Sequence, residues 1–234
     1  MKGRRVMDGK PILNIKSLKE QVYEYLREQM RRGEILPGSA IDMEETSKKL
    51  GVSKTPLRDA LLQLEMEDFV TILPRRMVVV NSLAEGDIRN YYEIIGSLES
   101  MALLKAFDRL KKSEIDDMQR LNDGMKKAIE ANDFDRYYEK NLAFHNAFLN
   151  LCGNASLVKL VNNLKKRLYD FPRPKEFIKE WEESSILEHQ ALIDLVRKGR
   201  RQDAANHIRD VHWSFKVQEN FVRKYYPGIT EQAG

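Results

Sequence analysis

Apolar residues in the first eighty positions recur at helical spacing and then at strand spacing. Leu18, Val22, Leu26 and Met30 follow at four-residue steps from Ser17-Leu18-Lys19-Glu20, a capping-box pattern, so an amphipathic helix begins there; Gly33 and Pro37-Gly38 end it. A second short helix fits Met43 to Leu50, and Gly51-Val52-Ser53 is a tight turn in which Gly51 takes the left-handed conformation of a helix C-terminus. Leu57, Ala60, Leu61 and Leu64 mark the buried stripe of a third helix. Pro56 lies in its first turn, where a missing N–H costs nothing, and Ser53 or Thr55 can cap it. Phe69 to Leu73 and Met77 to Val80 are β-rich runs flanking Pro74-Arg75-Arg76, which predicts a hairpin with two arginines at its tip.

From Ser82 onward the pattern is helical almost without interruption, and Ser82-Leu83-Ala84-Glu85 reads as a further capping box at a domain boundary. Helices fit about 84–109, 114–131, 134–151, 155–169, 175–198 and 202–225, broken at Lys112-Ser113, Asn132-Asp133, Gly153-Asn154, Pro172/Pro174 and Gly199. The expected fold is mainly α: an N-terminal winged helix-turn-helix over residues 1–80, then a C-terminal antiparallel all-helical bundle over 81–234.

Length and composition agree with this. A chain of 234 residues, 42% hydrophobic, can fill one large core or two modest ones. No run of about 18 apolar residues occurs, and MKGRRVMDGK lacks the apolar stretch of a signal peptide, so a cytoplasmic protein without membrane insertion is expected. Cys152 is the only cysteine, so any bound metal must be held by nitrogen and oxygen.

The net charge is +4, and its excess lies toward the N-terminus: residues 1–80 hold 15 Lys and Arg against 12 Asp and Glu, and 81–234 hold 25 against 24. An excess this small does not imply nucleic acid; placement does. Lys54 and Arg58 share a helix face distinct from the leucine stripe, and in a winged helix-turn-helix the third helix enters the major groove while the wing meets the backbone. Lys54, Thr55 and Arg58 are therefore candidate DNA contacts, with Arg75 and Arg76 at the wing.

Three of the four histidines fall on apolar stripes of three different helices. His145 shares a face with Asn141, Phe148 and Cys152; His189 lies among Ile186, Ile193 and Val196; His212 lies among Ile208, Val211 and Phe215. His207 is about 140° around a regular helix from His212 and is left out. A single inward histidine is usually a hydrogen-bonded core residue. Three converging imidazoles, with the Asn141 amide one turn before His145, also make a donor set for zinc, nickel or a related divalent ion. Spacing alone leaves both readings open.

The chain resembles, over nearly its whole length, the GntR family of bacterial transcription regulators, in the FadR-like subfamily with an FCD ligand-binding domain. The segment PGSAIDMEETSKKLGVSKTPLRDALLQLEMEDFV is similar to that family's winged-helix signature, and YYEIIGSLESMALL, NLAFHNAFLNLCGN and LEHQALIDLV are similar to successive FCD helices. The resemblance implies DNA contacts at Lys54, Thr55 and Arg58 and metal ligands at Asn141, His145, His189 and His212. Asn141 stands where family members commonly have Asp, Ile95 where arginine is common, Met77 where the wing usually has glycine, and Asp42 where some members carry a DNA-contacting arginine.

The expectation is a sequence-specific transcription regulator, acting as a repressor, that binds a double-stranded DNA operator as a homodimer and responds to a small organic acid effector held near a divalent metal. Two other classes compete. A metal-dependent hydrolase could use the same three histidines, but no carboxylate stands in a motif as its general base. A non-specific DNA-binding structural protein would bind operator and random duplex alike.

Overall fold

The stripes and β-rich runs assemble into two compact units, one of residues up to 29 with 35–81, the other of 30–34 with 82 onward. The computed structural model describes residues 16–74, 77–169 and 178–225.

In the first unit, α1 (Leu18–Arg31) is opened by the expected box: Glu20 N–H donates to Ser17 Oγ at 3.2 Å and Ser17 N–H to Glu20 Oε2 at 2.8 Å. Val22, Leu26 and Met30 are buried, but Leu18 is 56% exposed, because as the first helical residue it precedes the turn that meets the core. Helix α2 (Met43–Leu50) is capped by Asp42, which accepts from Glu45 N–H at 2.7 Å, and it ends at Gly51 with φ +65°. Helix α3 (Lys54–Met66) buries Leu57, Ala60, Leu61 and Leu64 as the spacing predicts. Ser53 occupies its N-cap position, yet neither expected cap forms: the Ser53 side chain makes no capping bond, and Thr55 already lies inside the helix.

The hairpin is part of a three-stranded antiparallel sheet. Strand β1 (Ala40–Ile41) pairs with β3 (Val78–Val80), which pairs on its other side with β2 (Val70–Ile72). Two residues are too few to show alternation, so β1 has no signature of its own. Leu73 N–H donates to the Met77 carbonyl at 2.8 Å and closes the hairpin base, while Arg75 and Arg76 lie outside the described residues.

The second unit is helical throughout. It runs through α4 (Glu85–Ala106), a 3₁₀ turn (Phe107–Arg109), α5 (Lys112–Glu130), α6 (Phe134–Leu149), α7 (Ala155–Tyr169), α8 (Lys179–Arg197), α9 (Arg201–His207), a π turn (Ile208–His212) and α10 (Phe215–Tyr225). Helices α5 and α6 pack along one another across a short connection in which Asn132 takes φ +54°, which sets them antiparallel. Ile88, Ile95, Leu103, Met118, Phe144, Phe148, Leu192 and Ile208 form part of a fully buried core.

Two expectations are corrected here. The Ser82 box does not form: Ala84 is the N-cap of α4, and its N–H donates to Asp87 Oδ2 at 2.9 Å, since the acid three residues on is the one in reach. The segment 202–225 is not one helix. Trp213 N–H donates to the Ile208 carbonyl at 2.9 Å, the five-residue spacing of a π turn, and a new helix starts at Phe215. Gly96 of α4 permits this turn to approach, because a Cβ at Gly96 would lie 2.8 Å from the Trp213 Cβ.

Candidate metal and effector centre, and candidate DNA-reading face

Helix α6 carries Asn141 and His145 on one buried face, four residues apart; α8 brings His189, and the π turn brings His212. Each imidazole offers a ring nitrogen, and these three nitrogens all lie within 4.8 Å of one another. His145 Nε2 and His189 Nε2 are 3.4 Å apart. Two nitrogens held at about 2.0–2.1 Å from a tetrahedral zinc are separated by about 3.3–3.4 Å, so this pair already has the required edge.

Carboxylates orient two of the rings. Glu99 Oε2 lies 2.8 Å from His145 Nδ1, and Glu188 Oε2 lies 2.8 Å from His212 Nδ1. With Nδ1–H donating to a carboxylate, Nε2 of each ring presents its lone pair to the interior, an arrangement common behind metal-ligating histidines. His189 has no such partner: its Nδ1 is buried without a hydrogen bond, and the ring lies 4.2 Å from that of Phe144. Burial pulls His145 down to about 4 despite the opposing pull of Glu99, and it also pulls His189 well below the usual imidazole range, helped by His212 and His145. Both rings are thus neutral, the form that ligates.

Glu99 also accepts from Trp213 Nε1 at 2.8 Å and forms an ion pair with Lys165 of α7. Burial alone would raise its carboxyl, but His145 and Lys165 outweigh this and hold it below the usual carboxylate range. Beside His212 lies a cavity of about 60 Å³ whose wall includes Tyr137, Asn141, Ser185, Glu188 and Gln218. Asn141 Oδ1 is buried without a hydrogen-bond partner, whereas the Tyr137 hydroxyl faces Glu182 and Ser185. An amide oxygen left bare beside converging imidazoles, together with neutral nitrogen donors, fits a divalent ion of borderline softness such as zinc or nickel. His207 stays outside the cluster, its Nε2–H donating to the Glu188 carbonyl at 2.8 Å.

Glu99, Glu188 and Lys165 were not singled out by sequence reasoning, although a signal existed. Glu99 falls on the α4 stripe with Tyr92, Ile95 and Leu103, and Lys165 on the α7 stripe with Leu157, Val161 and Leu168; opposite charges on two buried stripes imply that they meet.

In the first unit, Lys54, Thr55 and Arg58 are all exposed at the start of α3. They border a hollow shared with Asp42, Glu44 and Asp59, so the face carries both signs of charge. Lys54 forms an ion pair with Glu44, whereas Arg58 has none among the described residues. Ile95 is fully buried in the bundle core and supplies no cation.

The family described as bacterial regulatory proteins, gntR family, matches residues 18–80, and the FCD domain matches residues 90–212. The chain is 25% identical over 190 residues to an uncharacterised HTH-type transcriptional regulator of Bacillus subtilis, YdhC, covering 80% of this chain and 84% of that one. It is 25% identical over 200 residues to the gluconate operon transcriptional repressor of Bacillus licheniformis, covering 81% and 79%. The solved structure of Escherichia coli McbR/YncC superposes with a TM-score of 0.67 at 21% identity, over 89% of this chain and 97% of that one, a likeness of fold. No helix among the described residues is long and apolar enough to cross a membrane.

Proposed function

The chain belongs to the gntR family of bacterial regulatory proteins and carries an FCD domain, and we propose on that premise that it is a repressor whose hold on its operator is set by a metal-bound small acid. It is a DNA-binding transcription regulator and not an enzyme: the relatives it matches are named as transcriptional regulators and repressors. Repression is the sign carried by the Bacillus licheniformis relative's name and is proposed here for this chain.

The observation that carries the metal reading is the convergence of three buried imidazole nitrogens within 4.8 Å, two of them oriented by carboxylates, beside a bare Asn141 oxygen. His145, His189 and His212 would hold the ion and Asn141 would be a fourth, weaker ligand. The ion would supply a positive centre to which an organic acid binds. Lys54, Thr55 and Arg58, with Arg75 and Arg76 of the wing, are proposed as the operator contacts.

A homodimer on a pseudo-palindromic operator doubles those contacts. Ile94 and Met101 on α4 and Leu160 on α7 are 43%, 51% and 48% exposed, and the two helices pack together, which supports this pair as the subunit interface. The cytoplasm, where DNA is reached, is the proposed location. The test is fluorescence anisotropy on an operator fragment with metal-free and zinc- or nickel-loaded protein, with and without small acids. Operator affinity that no acid changes, in either form, contradicts the proposal.

A further inference from the structure

We propose that a hollow between α5 and α6, whose wall shares no residue with the cavity beside His212, binds a small phosphate monoester. The inference is independent of the metal and of the acid proposed beside it.

The antiparallel pair gathers cations on one wall. Arg120, Gly124 and Lys127 follow at helical steps on α5, and Arg136 and Lys140 lie four apart on α6. Four cations and two acids, Asp123 and Asp133, line the hollow, a difference of +2 (4 − 2). Arg120 is held by Asp117, but Lys127, Arg136 and Lys140 form no ion pair among the described residues. Both acids are engaged. Asp123 Oδ1 accepts from Gln119 at 3.0 Å, and Asp133 caps α6, accepting from the Arg136 N–H at 3.0 Å, where the positive end of the helix already attracts its charge. Like charges gathered on one wall repel one another until an anion enters.

Gly124 is the second observation. Glycine inside a helix is less stable than alanine, yet Gly124 stands within α5. A Cβ there would lie 2.7 Å from Lys140 Cδ and 2.9 Å from its Cε, so the missing side chain lets the Lys140 stem lie across α5 at the hollow. Lys140 is half-buried there, whereas Lys127 and Arg136 are exposed.

The shape and the charge select the ligand. The hollow measures about 380 Å³, within the range of about 300–1,000 Å³ of small-ligand sites. A phosphate monoester carries about two negative charges and three acceptor oxygens, one for each unpaired cation, and the Arg136 guanidinium can meet two of them at once. A carboxylate offers less charge and fewer oxygens. Duplex DNA fits less well, because its backbone is a continuous convex polyanion and Asp123 and Asp133 stand on the same wall.

The test is calorimetric titration of full-length protein, metal-free and zinc-loaded, with glucose 6-phosphate, glycerol 3-phosphate, glucose and inorganic phosphate, and competition by a duplex lacking the operator. At least one of the esters should bind more tightly than about 1 mM, equally in both forms of the protein, and glucose should not bind. Lys140→Ala and Arg136→Ala should each weaken the ester by about tenfold, the effect of one charge-assisted hydrogen bond. Lys126→Ala removes the same charge from an exposed position of α5 outside the hollow and should leave the affinity unchanged. Gly124→Ala should raise the melting temperature and yet weaken the ester, since it improves the helix while displacing Lys140, which separates loss of the site from loss of the fold. The proposal is overturned if neither ester binds at that level, or if Lys126→Ala costs as much as Lys140→Ala, which would make the effect one of diffuse surface charge. Inorganic phosphate binding as tightly as the esters overturns it in favour of free phosphate. Ester binding only to zinc-loaded protein overturns it in favour of the metal centre, and displacement of the ester by the duplex overturns it in favour of DNA.

Discussion

Glu99 and Lys165 form an ion pair in the interior of the helical unit, their side chains retaining 0% and 2% of their exposure, and the same carboxylate receives His145 and Trp213. Three elements therefore converge on one acid. Lys165→Met strands that carboxylate, and removing one partner of a buried pair costs about 3–5 kcal/mol, which denaturant unfolding will measure. Replacing both members, Glu99→Gln with Lys165→Met, should recover part of the loss. Glu99→Gln alone should weaken metal binding by about 10–100-fold, the usual range for a lost partner behind a ligand. An unchanged metal affinity would separate Glu99 from the ligand set.

Stability without metal should fall with acid. His145 and His189 are held below the ordinary imidazole value of 6.5 by burial, His145 to about 4. They are neutral when folded and take up protons when unfolded. The stability they contribute is complete above about pH 6.5 and is lost as the pH falls through the lowered folded values. Melting temperatures of metal-free protein should decline between pH 6.5 and 4, and His145→Gln should flatten that decline. Metal-loaded protein should release its ion in the same range, as protons compete for Nε2.

The proposed ligands differ in weight. His145→Ala, His189→Ala and His212→Ala should each remove most of the metal found by elemental analysis of purified protein. Asn141→Asp should tighten it by adding an anionic oxygen. His207→Ala should leave metal content unchanged, because its ring nitrogen is engaged with the Glu188 carbonyl.

At the DNA-reading face, Arg58→Ala should cost about 1–3 kcal/mol of operator affinity and relax preference at one base position per half-site, as for a guanine contact. Glu44 pairs with Lys54 and competes with phosphate for it, so Glu44→Gln should strengthen operator binding and steepen its salt dependence. Arg75→Ala and Arg76→Ala should lower affinity on any duplex and flatten the salt slope. Anisotropy titrations across a salt series distinguish all of these.

Met101→Asp, with Ile94→Asp as a second variant, should dissociate the proposed homodimer in sedimentation and weaken operator binding without unfolding the chain. Both side chains are exposed in the single chain, so neither substitution disturbs its core. A dimer that survives both changes moves the interface off α4.

Most of the architecture was legible in the residues. Helices α1, α2 and α7 lie where periodicity and end signals put them and α3 where its leucine stripe does, because each closes its own backbone hydrogen bonds. Strand β1, two residues long, had no pattern to read and exists only by pairing with β3. The break within 202–225 was equally silent. It depends on Trp213 reaching Glu99 across the bundle, and on Gly96 leaving room for the approach.

The sequence by itself determined that three histidines and one asparagine lie on buried faces, since side-chain direction follows from helical spacing. Only the tertiary structure decided that the three histidine-bearing faces share one centre, that Glu99 and Glu188 set which ring nitrogen is free, and that Lys165 neutralises the first of these acids. The reason is one of range. Periodicity records which way a residue points within its own helix, whereas a donor set and its charge balance arise between helices, from contacts 46 and 44 residues apart in the chain for His145 with Glu99 and with His189.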